Sequence, residues 1–497
     1  MTVSPFFRLP LELREEVYFH YVFDPSGYHY DASSQKMRDA AGLPIDLALQ
    51  YACKAIAKEM HGLALEHNTI TFTTFEDKRA DHLDQLLHWQ EHEFWDILRR
   101  APKCFTYDIL QQLRRLHPDN YTVKYILNAS PERRKHLVQD FLPWGAGQPS
   151  SMTRRVWHDL VRLTIRAPNF RFENGKKLSA PKRALIEWQP RLWLLPSHSE
   201  LDSLSRTFFG LRAFSNARRF IRFHFSATTA AVTFLQSIGK SAQSHLRSIV
   251  INENRASVAH PESHAQGLIP YCRENPKLRV DHRASIWRTL LVHYSMLHNF
   301  YSPRYTHLRS NLMAWSATSW VITWIGEALL LKATGMPKSS YTLNLEGSSD
   351  LTQQIWDHLK RAAAAQEASW EMVRRGDMQL SNELFVNLGR PYLHIAAELP
   401  RAVREMIVGT SCVRLDAFKG ELWDVDEVIA TETRIRVKDW GQFFDQVELD
   451  QSDLEHGQAG LLGEFCVAPK PHKVPDTSLE DWDHSMEGFA LLLGEKS

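Results

Sequence analysis

"RRFIRFHFSATTAAVTFLQSIGKSAQSHLRSIVINEN", Arg218 to Asn254, decides the expected fold. Its two ends, Arg218–Ala227 and His245–Asn254, alternate apolar and polar side chains and are rich in Phe, Ile and Val. That is the period and composition of β-strands. Thr228–Ser244, between them, has the length of a helix that crosses over a sheet. Strand, crossover helix and strand make one βαβ unit, and its two strands are expected to lie parallel. "SYTLNLEG" (Ser340–Gly347) ahead of a helical stretch over 350–374 reads as a second strand–helix pair, and "GRPYLHIAAELPRAVREMIVG" (Gly389–Gly409) as a third. "DLVRLTIRAP" (Asp159–Pro168) shows the same β-rich alternation. The spacings are unequal, so no regular repeat is read.

Upstream the pattern is helical. In "DHLDQLLHWQEHEFWDILRR" (Asp81–Arg100), Leu83, Leu87, Phe94, Ile97 and Leu98 share one face at the helical period. More helix is expected over about 105–142, broken at Pro118 and Pro131, before the linker "FLPWGAGQPSS" (Phe141–Ser151). At the N-terminus, Pro10 suits a first helical turn, and Leu9, Leu13, Val17 and Tyr21 recur every four residues. Asp24-Pro25-Ser26-Gly27 stops that helix and a polar loop follows; Leu43–Asn68 then reads as two short helices and "TITFTTF" (Thr69–Phe75) as a strand.

The expected architecture is therefore α+β. A small helical module over 1–80 is followed by a helical connector over 81–145 and a mixed α/β body over 150–415 with at least one βαβ unit, largely helical elsewhere. An acidic segment over 416–497 closes in a terminal helix opened by the capping-box pattern of Thr477 and Glu480.

Composition narrows the class. Apolar residues at 43% and charged residues at 24% fit a globular chain with a large core. Asp416–Ser497 holds 19 acidic and 7 basic residues, so the rest of the chain is basic although the net charge is only +1. This asymmetry fits two solvated surfaces of opposite sign, or a tail facing a basic body. Five widely spaced cysteines (Cys53, Cys104, Cys272, Cys412, Cys466) form no metal or disulfide framework, which fits a reducing compartment. No secretory leader is read, because Arg8, Glu12 and Arg14–Glu16 interrupt the first apolar stretch. Trp315–Lys332 contains Glu327 and is short for a membrane span, so a buried helix is expected there. The protein is expected in the cytoplasm or nucleus.

Four patterns in the sequence bear on chemistry. "HWQEH" (His88–His92) matches a zinc motif in which two histidines share a metal and Glu91 acts as a base. No third ligand follows with suitable spacing at Asp159, Glu173 or Glu187, so a solvated helix face is expected and a zinc hydrolase ranks third among the functions. Gly239-Lys240-Ser241 lacks the upstream glycine of a phosphate loop, whose place is taken by Phe234. Eight basic residues over 160–191, interleaved with Phe170, Phe172 and Trp188, have the texture of a nucleic-acid surface, but no RNA-binding motif accompanies them. Glu253–Arg283 is expected to be a structured surface loop; His260, His264, Cys272 and His282 within it fit no ligand spacing. No cofactor, metal or catalytic residue is expected.

"RLPLELREEVYFHYV" (Arg8–Val22) resembles the first helix of the F-box, with Leu9, Pro10, Glu12, Leu13 and Val17 on its pattern. The continuation is similar to the F-box-like domains of filamentous-fungal proteins through Leu49, Cys53, Lys54, Ile56, Glu59, Asn68 and Phe72. The loop over Asp24–Gly42 is longer than in the compact F-box, and the Trp of its third helix is absent. The resemblance implies a helical module that binds the Skp1 adaptor of a cullin ubiquitin ligase, with Leu9, Pro10, Leu11, Leu13 and Val17 on the docking face. The expected function is non-catalytic substrate capture for such a ligase. The alternative is an intracellular scaffold in which the opening helix packs against its own chain.

Overall fold

The computed structural model describes residues 5–101, 104–132, 134, 138, 149–168, 170–172, 175–209, 223–291, 314–377 and 398–431. In chain order, α1 (Leu11–Val22) leads to a hairpin of β1 (Tyr28–Asp31) and β2 (Lys36–Arg38), then α2 (Lys54–Glu59), α3 (Leu63–His67), β3 (Thr69–Thr73) and β4 (Phe75–Glu76). Six helices follow: α4 (Lys78–Arg100), α5 (Tyr107–Leu116), α6 (Tyr121–Asn128), α7 (Ser150–Arg166), α8 (Ala180–Glu187) and α9 (His198–Phe209). Then come β5 (His224–Phe225), α10 (Ala227–Ser237), α11 (Lys240–His245), β6 (Ser248–Glu253), α12 (Ile269–Glu274) and β7 (Arg279–Ser285). The described chain ends with α13 (Ala314–Ala333), β8 (Tyr341–Glu346), α14 (Ser349–Arg375), α15 (Leu399–Val408), β9 (Val413–Leu415) and α16 (Val425–Thr431).

Among the described residues the main sheet has seven strands in the order β2-β1-β3-β6-β7-β8-β9, all paired parallel except the β1–β2 hairpin. Its parallel neighbours β6–β7, β7–β8 and β8–β9 are joined by helices, as parallel strands require. One face is apolar: Ile70, Ile251, Val280, Leu343 and Val413 pack under α10, α13, α14 and α15 in the largest core cluster. Alternation puts Thr71, Asn252, Asp281, Arg283, Asn344 and Arg414 on the other face, half-buried or exposed.

The predicted βαβ unit over 218–254 is corrected. Arg218–Arg222 lies outside the described residues, and among the described ones the first strand covers His224–Phe225. That strand pairs antiparallel with Phe75–Glu76 in a separate ribbon, not with β6. The helix between is present but splits at Ile238–Gly239. Asp159–Pro168 is also corrected: Asp159–Arg166 is the last part of helix α7, and Ala167 and Pro168 follow its end. Val156, Trp157, Leu160, Val161 and Ile165 are buried at the helical period, which a ten-residue window of β-branched residues conceals. The polar loop after α1 contains the β1–β2 hairpin.

The domain boundaries change too. Residues 1–80 do not stand apart, because β1, β2 and β3 belong to the main sheet. The connector and the start of the expected body form one helical lobe, with a shared core from Phe94 to Ile186. Tyr341–Glu346 and Ser349–Arg375 match the second expected strand–helix pair. α13 is largely buried from Val321 to Leu331, as expected, and among the described residues no helix is long and apolar enough to cross a membrane. The strand expected before α15, most of the 141–151 linker and the terminal helix lie outside the described residues.

Candidate functional site

The opening helix is held on one side and open on the other. Tyr18 and Val22 are buried against Ile56 and Met60, with Phe6, Phe7, Tyr21 and Leu49 around them, in a small core of their own. The Arg14 guanidinium donates to both Glu59 carboxylate oxygens at 3.0 and 2.7 Å, and the Tyr18 hydroxyl donates to Glu59 at 2.7 Å. Arg14, then Tyr18, hold the Glu59 carboxyl below its ordinary range; burial and the bond to Glu59 push the Tyr18 hydroxyl up to about 12. Asn68 closes the lobe. Its amide donates to the Val22 and Ala64 carbonyls at 2.9 Å each, and its oxygen accepts the Asp24 N–H at 2.8 Å. Gly27 turns the chain at φ +69°, where a Cβ would sit 2.4 Å from the Thr69 carbonyl oxygen.

With that side fixed, the other side of α1 points outward. Leu13 and Val17 on that side are 53% and 43% exposed, Leu9 just ahead of the helix is 37% exposed, and Leu11, at the helix start in line with Tyr18, is 45% exposed. Pro10 is also exposed and takes the N-cap position, one residue before the helix rather than in its first turn. Tyr21, the expected fourth member of the stripe, turns inward, and its hydroxyl accepts the Leu49 N–H at 3.2 Å. The stripe therefore runs from Leu9 to Val17. The other residues of the F-box resemblance are mostly internal: Ile56 and Phe72 are buried and Leu49 packs on the lobe core, while Cys53 is exposed at the start of α2. Arg14 and Tyr18, which lock the helix, carried no signal in the apolar spacing; a positive and a phenolic side chain four residues apart are common on any helix.

The remaining candidates do not converge on a reaction centre. On α4, Glu91 pairs with His158 at 3.2 Å, and His92 faces Glu93 at 4.0 Å. Among the described residues no three His, Cys, Asp or Glu gather as metal ligands. The face is half-buried rather than solvated. Asp159 is bonded by His117 at 3.0 Å and Glu187 by Arg166, while Glu173 lies outside the described residues. Several charges of the 160–191 stretch serve the helical lobe. Arg162 donates to the Ile186 and Trp188 carbonyls, and Lys182 pairs with Glu93 at 2.8 Å. Gly239 sits between α10 and the short α11.

The 253–283 segment is corrected from a surface loop to a largely buried one: Ser257–Ala259 and Pro261–Ala265 are buried under α10 and α13. Its histidines separate. His264 bonds the Ser226 hydroxyl at 2.7 Å and the Ala259 carbonyl at 2.7 Å, and burial pushes it down to about 4. Cys272 lies in the apolar core. His282 bonds the Tyr341 hydroxyl at 2.8 Å and stands 3.7 Å from Glu253. Glu253 is fully buried at the end of β6 and accepts the Ala227 and Thr228 N–H groups at 3.0 Å each, capping α10. Desolvation would raise its carboxyl, but His282 and these donors outweigh it and hold the group below its ordinary range. Ser226, Glu253, His264 and His282 are all fully buried.

No protein-family model matches this chain, nor does any curated protein or solved structure.

Proposed function

We propose that this chain is a non-catalytic interaction protein whose opening helix docks on an adaptor, in the manner of the F-box-like substrate receptors of Skp1–cullin ubiquitin ligases. The observation that carries this reading is the outward apolar stripe of Leu9, Leu13 and Val17, with Leu11 also exposed at the helix start, on a helix whose other side is pinned by Arg14, Tyr18 and Glu59. An internal scaffold would bury that stripe. A short helix presenting apolar residues one turn apart suits a partner's hydrophobic groove. The αβ body then captures the substrate.

The test is co-expression of the full chain with a fungal Skp1-like adaptor, beside a Leu13→Asp/Val17→Asp variant. A stable complex is expected with the wild type and none with the variant, because an unpaired charge buried at the contact costs several kcal/mol. A folded wild-type protein that forms no complex would remove the adaptor reading and return α1 to a role within its own chain.

A further inference from the structure

The joint between the helical lobe and the sheet body is built from acids. Helix α7 begins at Ser150, and its first turn meets Glu327 of α13 and Glu262 of the segment before α12. Glu327 accepts the Ser151 N–H and hydroxyl at 2.7 Å each and the Gln266 amide at 3.2 Å. The Ser150 hydroxyl lies 3.1 Å from Glu327 Oε1 and 3.4 Å from Glu262 Oε1. It has one proton and can donate to only one of these carboxylates at a time. Both acids are buried, at 2% and 9% exposure.

The charges around them are unevenly shared. Glu262 has Arg154 of α7 at 3.6 Å and His260 at 3.5 Å. On the same side, His158 of α7 is paired with Glu91 of α4. Among the described residues, the partners bonded to Glu327 are neutral donors from Ser150, Ser151 and Gln266. Two buried carboxylates across one hydroxyl, with Arg154 in an ion pair with Glu262 and acting on Glu327 only at longer range, favour a proton on Glu327.

We propose that Glu327 is a proton-holding switch at this joint. In its acid form, Oε1–H donates to Ser150 Oγ and the Ser150 proton turns to Glu262, giving one continuous chain. On ionisation Ser150 serves only one carboxylate, and two negative charges face each other across it. Burial pushes the Glu327 carboxyl up, against the Ser151 donors, and the Glu262 charge adds to the rise; Glu262 itself is held down to about 2 because His260 and Arg154 outweigh its burial. For a carboxyl raised in the folded state, the stabilisation is complete below the unfolded value and is lost as pH rises through the folded one. The joint is therefore tight in acid and loosens as Glu327 ionises.

Infrared pH titration of the full-length protein reads this proton directly. The C=O stretch of a protonated carboxylic acid is expected to persist above the ordinary Glu value of about 4.3. It should be absent in Glu327→Gln and titrate at lower pH in Glu262→Gln, where the like charge is gone. Over the same interval, the folding constant of the wild type should fall relative to Glu327→Gln by up to about tenfold per pH unit. A wild-type spectrum without that band overturns the proposal. So does a band unchanged in Glu327→Gln, or a titration that Glu262→Gln leaves in place.

Discussion

The N-terminal lobe and the centre of the sheet body both invert the usual partition of side chains, in opposite senses. In the lobe, leucines and a valine face solvent. In the body, Glu253, His264 and His282 have no exposure at all. The inward groups are answered within the chain. Two backbone N–H groups, the Thr228 hydroxyl and His282 surround Glu253, and Ser226 and a carbonyl receive His264. The outward leucines have no such answer. Buried polarity that is bonded within the chain, as at Glu253 and His264, explains itself as architecture, whereas exposed apolar surface in a row points beyond the chain.

The comparison breaks most severely at Glu253. Glu253→Ala strips the α10 cap and orphans three buried donors, so a loss of about 3–5 kcal/mol in urea denaturation is expected. Because its folded carboxyl is held below the ordinary range, its stabilisation is present above the unfolded value and fades as pH falls through the folded one. The wild-type advantage over Glu253→Ala should therefore shrink in acid. An advantage independent of pH would mean that the carboxylate charge is not what the site uses.

Asn68 sharpens the comparison inside the lobe. It is buried and ties α1, the Asp24 turn and α3 together, so Asn68→Ala should cost about 1–3 kcal/mol. The amide of Asp24 should also exchange with solvent faster. A variant as stable as the wild type would show that the Tyr18–Val22–Ile56–Met60 core holds the lobe by itself.

Different parts of this structure were legible in the sequence to different degrees. The amphipathic helix over Lys78–Arg100 and the pair Tyr341–Glu346 and Ser349–Arg375 follow from period alone, because their buried residues recur at a regular period, even where, as on Lys78–Arg100, they meet two core clusters. The sheet order did not follow. Strand β3, from the first 75 residues, pairs with β6 across a chain separation that no local pattern encodes. His224–Phe225 alternates correctly but finds its partner in Phe75–Glu76. The stripe of Leu9, Leu13 and Val17 was visible as spacing, whereas its exposure depends on Glu59, 45 residues from Arg14. Glu253 and Glu327 looked like a strand end and a polar interruption; only packing makes them caps for α10 and α7.

The smallest expected effect on stability is at the stripe itself. Leu13 and Val17 already meet water, so Leu13→Asp/Val17→Asp removes little burial and should change folding stability by no more than about 0.5 kcal/mol. Glu12 and Glu16 lie nearby on the helix, and added repulsion enters the same small figure. Thermal denaturation of the double variant beside the wild type checks this directly. A large loss would mean that the two side chains are needed by their own chain, and the lobe would then differ from the body only in degree. A neutral result leaves the stripe with no structural use within the described fold, which is the condition under which a partner's groove becomes the reason for its sequence.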